Sequence, residues 1–231
     1  MTDQRMAVAQ KAVSFIKEGN IVGLGASTTI QYMIDILAVE IKKGLNIQLV
    51  SSSFTTQQLL LQQKLLVQPI SNFTGIDIYF DGCDQFDKNL QALKSGGGIH
   101  THEKLLASMS ERFLLLGDET KYVSSFDLKY PLVIEFIPEA IRYTPASLQQ
   151  LYPGIQTNIR LSDKKQGPAI TTNGNYLLDA WFTAWPDLAT INTNIKRIAG
   201  VVETSLFYNM VHSAIISEKN EVRIIEKPIN I

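Results

Sequence analysis

The strongest constraint on this chain is an alternation. Four short apolar runs, at residues 21–24, 47–50, 76–80 and 113–116, are each followed at once by small or charged residues. Stretches with helical periodicity lie between them. Residues 28–43 place Ile30, Met33, Ile34, Leu37 and Ile41 on one face, and residues 4–18 carry a stripe of Met6, Ala9, Val13 and Ile16. Residues 55–63 and 103–111 read as further helices. Strands alternating with helices predict parallel pairing, hence an α/β fold with helices on both faces of a sheet. In such sheets ligands bind beyond the C-terminal ends of the strands. Here those ends hold residues 25–29 (GASTT), 51–53 (SSS), 81–84 (DGCD) and 118–121 (DETK).

The texture changes after about residue 129. Residues 132–136, 157–161, 169–171, 176–180 and 201–204 read as strands, with helical patterns near 138–150 and 187–197. Asn173-Gly174 sits between two of these strands, and Asn-Gly is a strong hairpin signal. A smaller α+β lobe with antiparallel pairing is expected here. Residues 210–216 and 222–226 then return to the first sheet. A length of 231 residues accommodates one large domain, or a large and a small lobe.

Charge narrows the function classes. Lys and Arg number 21 against 22 Asp and Glu, a net charge of -1. That disfavours a chain whose main task is gripping a nucleic acid backbone. Hydrophobic residues make up 45%, enough for a proper core. Cys83 is the only cysteine, so neither an intrachain disulfide nor a Cys-rich zinc site is available, and a reducing compartment fits. No run approaches 18 consecutive apolar residues, and the opening residues lack a basic segment followed by an apolar one. A cytoplasmic protein with no membrane partner is the expectation. Tyr176, Trp181, Phe182 and Trp185 have no basic stripe around them, so they read as core or subunit contacts rather than a base-stacking platform. Lys164-Lys165 reads as a solvated turn.

Two segments carry candidate chemistry. Residues 23–29 (GLGASTT) follow a strand and open a helix. Glycines allow close backbone approach, and a helix N-terminus offers free N–H groups and partial positive charge. With the hydroxyls of Ser27, Thr28 and Thr29 the loop suits a phosphate; the competing reading is a plain turn with a Ser or Thr cap. It is neither a dinucleotide fingerprint nor a Walker loop, lacking a third glycine and a Gly-Lys-Ser/Thr run. The second segment is denser. Asp81-Gly82-Cys83-Asp84 ends a strand, Lys94-Ser95 precedes three glycines, and Glu103 opens a helix. Either this is a flexible surface turn, or a loop whose backbone must run close to a small ligand. His100 and His102 flank the region, but their spacing and the single further His212 argue against a metal site. Carboxylates beside Cys83 would raise its thiol pKa, which argues against a reactive thiol.

At these residues the chain resembles the type A ribose-5-phosphate isomerase family. The matching runs are GLGASTT at 23–29, SSS at 51–53, DGCDQFD at 81–87, LKSGGG at 93–98, HEKLLA at 102–107, GDETK at 117–121, ITTNGNYLLD at 170–179 and GVVET at 200–204. Their order and spacing, over nearly the whole chain, carry the resemblance; no one run is diagnostic. The chain departs from the family pattern at Ala26 and Ser27, at Gln85, at Ser95, at His102 and at Thr172.

The resemblance implies a Rossmann-like lobe from residue 1 to about 129, joined by 205–231, with a ferredoxin-like α+β lobe at 130–204 inserted. It implies interconversion of D-ribose 5-phosphate and D-ribulose 5-phosphate through a cis-enediol, with neither metal nor organic cofactor. Glu103 would be the base, Asp81 would handle hydroxyl protons and Asp84 would help open the ring. Lys94 would stabilise the enediolate. Ala26, Ser27, Thr28, Thr29 and Lys121 would hold the phosphate, with Gly82, Cys83, Ser95, Gly96 and Gly97 contributing substrate contacts. A homodimer, or a tetramer, is implied as the assembly. The rival class is a sugar-phosphate sensor that binds without turnover. The retained Glu103 and Lys94 favour the enzyme, as do the roughly twenty residues before the first strand, too few for an N-terminal helix-turn-helix. A sugar-phosphate deaminase or lactonase of the same fold group is a further enzyme reading.

Overall fold

The computed structural model describes residues 4–219 and 221–227; residues 1–3 and 228–231, at the two ends of the expected first lobe, lie outside the described residues. In chain order the elements are α1 Gln4–Val13, β1 Ile21–Leu24, α2 Thr28–Lys42, β2 Gln48–Ser51, α3 Phe54–Gln62, β3 Ile76–Asp81, β4 Gln85–Phe86, β5 Ala92–Leu93, α4 His100–Met109 and β6 Ser110–Asp118. There follow β7 Leu132–Phe136, α5 Tyr143–Leu151, β8 Gln156–Ile159, β9 Tyr176–Trp181, α6 Leu188–Asn194, β10 Val201–Thr204, β11 Leu206–Phe207, β12 Ser213–Glu218 and β13 Glu221–Glu226.

The main sheet runs in the order β13-β12-β6-β3-β1-β2. Every neighbouring pair is parallel except β12 and β13, which form an antiparallel edge hairpin. The apolar runs are explained by this arrangement, because a parallel strand is covered on both faces. In β6, Leu114 and Leu116 pack with α1, α2 and β12, while Phe113 and Leu115 pack on the other side with α4 and Phe207. From β1 the chain crosses to β2 on one side and then to β3 on the other. That reversal opens a crevice at the strand ends, the place where sheets of this order bind ligands.

Strands β7 to β10 form a separate antiparallel sheet in the order β10-β7-β9-β8. With α5 and α6 this is a βαββαβ unit of ferredoxin-like order, inserted between β6 and β12. Its core gathers Ile134, Phe136, Leu148, Leu178, Ile191 and Ile195. A third sheet, β11-β5-β4, has strands of two residues each. Such strands are too short to show a period, and sequence patterning does not reveal them.

Three expected elements are shorter than their apolar pattern. The first helix ends at Val13 rather than 18, yet Phe15 and Ile16 still pack on the core through a tight turn. Residues 169–171 contribute a single bridge, Ile170 to Tyr176, instead of a strand, although the chain does turn sharply at Gly174, as Asn-Gly predicts. Residues 138–140 form a 3₁₀ turn before α5.

Gly200, which leads into β10, has a positive φ of 91°, and a β-carbon there would lie 2.6 Å from the β-carbon of Ala140. Gly200→Ala should therefore destabilise the fold by more than about 1 kcal/mol. Urea unfolding would show it, and an unchanged midpoint would refute the packing argument.

Candidate active site

Three side chains meet at the crevice. Asp81 is the last residue of β3, Lys94 follows β5, and Glu103 lies in the first turn of α4. All three are almost fully buried. The Lys94 ammonium lies 2.9 Å from Asp81 Oδ2 and 3.3 Å from Glu103 Oε1, and it also donates to the carbonyl of Gly82. The Phe207 ring lies on a further side of it, with its centroid 5.8 Å away.

Asp81 is held by more than the lysine. Its Oδ1 accepts from the backbone N–H groups of Ala26 at 3.0 Å and Gly82 at 2.7 Å. Its Oδ2 accepts from Tyr79 Oη at 2.6 Å, and Tyr79 in turn meets Ser52 Oγ at 3.2 Å. Tyr79 stacks on Phe113. Gly25 is what lets Asp81 sit here: a β-carbon at residue 25 would fall 2.0 Å from the Asp81 Cγ.

The electrostatics follow from burial and from carboxylate against lysine. Burial lifts the Glu103 carboxyl to about 8; Asp81 adds to the rise and Lys94 opposes it. Burial pulls Lys94 down, but the two carboxylates outweigh it and hold the ammonium above its ordinary range. Burial also pushes the Cys83 thiol to about 12, with Lys94 pulling it down and Asp84 pushing it up. Cys83 is thus a small cleft-lining residue held as the neutral thiol, and burial, rather than its flanking carboxylates, is the main reason.

The crevice is a cleft of about 160 Å³ lined by Ala26, Ser27, Gly82, Cys83 and Asp84 on the strand side. Lys94, Gly96, Gly97, Ile99 and Glu103 line the other side. The expected residues divide accordingly. Asp84 is fixed by the backbone N–H of Ser95. The Ser95 hydroxyl turns away and donates to the carbonyl of Pro131 at 2.6 Å. Ser27 lines the cleft and caps α2, accepting from the N–H of Ile30 at 3.2 Å. Thr28 and Thr29 lie in the first turn of α2, outside the cleft lining, with Thr29 buried. Lys121 ends a short 3₁₀ turn after β6; it does not line the cleft, but it is near enough to lower the Cys83 thiol pKa.

The expected site residues do not include Ile99, Phe207 or Tyr79, and Ser52 enters only as part of the run at 51–53. One signal could have found Tyr79: it precedes Asp81 by two residues on a strand, so both side chains share a face. The two histidines do not converge on Glu103. His100 is buried, held down to about 4 chiefly by burial, while His102 meets Asn173 Oδ1 at 2.9 Å. Among the described residues no cluster of three His, Cys, Asp or Glu side chains could hold a metal ion.

A lysine caged by two buried carboxylates, at the switch point of a parallel sheet, is the equipment of an enzyme that moves protons on a small polar substrate. Comparison with known proteins gives that class a family. Residues 48–221 match the model of ribose 5-phosphate isomerase A, also called phosphoriboisomerase A. A ribose-5-phosphate isomerase A of Prochlorococcus marinus is 35% identical over 225 residues, which is 96% of this chain and 94% of the relative. The structure of ribose 5-phosphate isomerase A from Methanocaldococcus jannaschii superposes with a TM-score of 0.90 at 32% identity, covering 97% of this chain and 99% of the other. A D-ribose-5-phosphate isomerase solved in complex with phospho-erythronic acid also gives 0.90, at 29% identity, with 96% and 97% covered. The chain belongs to the ribose 5-phosphate isomerase A family, whose members are aldose–ketose isomerases.

The raised Glu103 pKa has a consequence for stability. The folded state binds this proton more tightly than the unfolded chain, so the contribution is full below about 4.5 and is lost as pH rises to about 8. Glu103→Gln removes that dependence. In urea unfolding, the variant should gain stability relative to the native protein between pH 5 and pH 8.5. A loss over the same range would show that Glu103 is not a carboxyl with a raised pKa.

Proposed function

We propose that the chain interconverts D-ribose 5-phosphate and D-ribulose 5-phosphate through a cis-enediolate, with Glu103 as the carbon base. The observation that carries the reading is the double salt bridge of Lys94 to Asp81 and Glu103 at the cleft. A carbon acid beside a carbonyl needs a base, a fixed cation for the developing oxyanion and a carrier for hydroxyl protons, and this cluster supplies one of each.

In the open-chain aldose Glu103, as the carboxylate, takes the proton from C2. The C2–H electron pair forms the C1–C2 double bond, and the carbonyl pair moves onto O1. Lys94 stabilises that oxyanion, a contribution on the order of 10²–10³ in rate. Asp81 carries the proton between O2 and O1, steadied by Tyr79 and the two N–H groups on its other oxygen. Glu103 then returns its proton to C1, leaving the carbonyl at C2. Asp84 assists opening of the furanose ring. The phosphate is assigned to residues 26–29 at the N-terminus of α2, with Lys121 nearby, because that end offers free N–H groups and a partial positive charge. Binding energy from the phosphate can be used to orient C1 and C2.

A related D-ribose-5-phosphate isomerase was solved in complex with phospho-erythronic acid, and a small phosphorylated ligand of that kind is in keeping with a sugar-phosphate substrate. A cytoplasmic homodimer, with a tetramer as the alternative, completes the reading; sedimentation velocity gives the mass.

Glu103→Gln should lower kcat about 10²–10⁴-fold, with ribose 5-phosphate binding near normal. A coupled isomerisation assay with calorimetric binding reads both, and full activity in the variant would remove Glu103 from the base role. Because Lys94 supplies the positive charge, activity should survive exhaustive EDTA treatment. Loss that a divalent ion restores would overturn the metal-free mechanism.

A further inference from the structure

We infer that Arg160, in the inserted sheet unit, is a positioning residue that aims the Gly96 and Gly97 N–H groups at the substrate. The inference rests on the isomerase reading above.

The guanidinium reaches across to the loop after Lys94. Its Nη1 donates to the carbonyl of Gly96 at 3.0 Å and its Nη2 to that of Ser95 at 2.8 Å. The head is held from behind by Asp179 on β9, whose carboxylate accepts from Nε at 3.1 Å and also from Nη2. The two residues share a face of the antiparallel pair β8–β9, because Asp179 pairs with Asn158, two residues before Arg160. A forked, planar cation of this kind fixes two acceptors at once, which a lysine cannot do.

The consequence follows from peptide geometry. In a trans peptide the C=O and the next residue's N–H point in opposite directions. Carbonyls of Ser95 and Gly96 held towards Arg160 therefore turn the N–H groups of Gly96 and Gly97 away from it. Gly96 and Gly97 line the cleft on one side and, with Arg160, a neighbouring groove of about 470 Å³. Among the described residues neither of these N–H groups has a protein acceptor. Two oriented donors thus face the cleft beside Lys94, and the backbone between them carries no side chain that could obstruct a ligand. Arg160 touches no substrate itself. It sets the direction of groups that do.

The test is steady-state kinetics with ribose 5-phosphate on the native protein, Arg160→Lys and Arg160→Met. Donors that bind ground state and transition state alike act on KM, and losing their alignment should raise it about tenfold, with kcat within threefold of native. Arg160→Lys should behave like Arg160→Met, since charge without the fork does not hold both carbonyls. A merely structural role would reduce the active fraction, lowering apparent kcat at native KM. A KM within threefold of native in folded Arg160→Lys and Arg160→Met, whatever happens to kcat, overturns the assignment. Should both fail to fold, Asp179→Asn leaves the guanidinium in place without its support, and it must raise KM in the same direction or the assignment falls. Native protein inactive on ribose 5-phosphate would overturn the isomerase reading and this inference with it, whereas active native protein with unaltered variants overturns only the role of Arg160.

Discussion

Everything at the cleft depends on burying one lysine and two carboxyl groups together. Asp81, Lys94 and Glu103 are all but buried, and none would remain ionised there alone. Desolvation of such a group costs several kcal/mol, and removing one partner of a buried pair costs about 3–5 kcal/mol. The cluster is therefore a poor device for stability and a good one for catalysis. It has one cation for two carboxylates, so one of the acids holds its proton more tightly than usual. Glu103 is that acid: burial raises its pKa, and the nearby Asp81 adds to the rise while Lys94 opposes it.

The rest of the fold holds the three partners at fixed distance. Helix α4 brings Glu103, and it is tied down on both sides of that residue by the inserted unit. Thr101 donates to Glu135 on β7, a buried carboxylate that also accepts from Thr171, Asn173 and Asn175. Lys104 reaches Glu203 on β10 at 2.8 Å and the carbonyl of Thr204 at 2.6 Å. Phe207 stands between the two lysines, its ring centroid 5.8 Å from Lys94 and 5.2 Å from Lys104. The inserted unit is thus more than a cover over the sheet. Its polar side chains fix the helix that carries the base.

How much of this is legible in the sequence follows from what each residue is responding to. The strands of the parallel sheet show up because burial on both faces leaves a continuous apolar run. Asp81, Asp84 and Lys94 show up because charges beside or just before glycines at strand ends are unusual, whereas Glu103, an acid in the first turn of a helix, stands out only through the family resemblance. The two-residue strands β4, β5 and β11 leave no period, and Ile99 looks like any apolar residue before a helix. The stripe that predicts a helix to residue 18 records burial of Phe15 and Ile16, which a turn achieves as well. Arg160 and Asp179 lie far from the cleft residues in sequence, and only the β8–β9 pairing brings them to bear on Ser95 and Gly96.

The glycine-rich turn after β1 shows the same distinction at closer range. Its composition reads as a phosphate cradle, and Ser27 does line the cleft. Yet the demand for glycine at residue 25 comes from the neighbouring strand. The Asp81 carboxyl occupies the space that a β-carbon would need, and it takes the N–H of the next residue, Ala26, as a donor. The Ser51-Ser52-Ser53 run is likewise structural: Ser51 bonds the Leu24 carbonyl, Ser52 meets Tyr79, and Ser53 caps α3. These two runs therefore serve the carboxylate first and the ligand second. A turn that must accommodate a buried Asp cannot give up its glycine at 25, whereas the Ser27 that departs from the family pattern is in place as the cap of α2, its β-carbon close against Gly82.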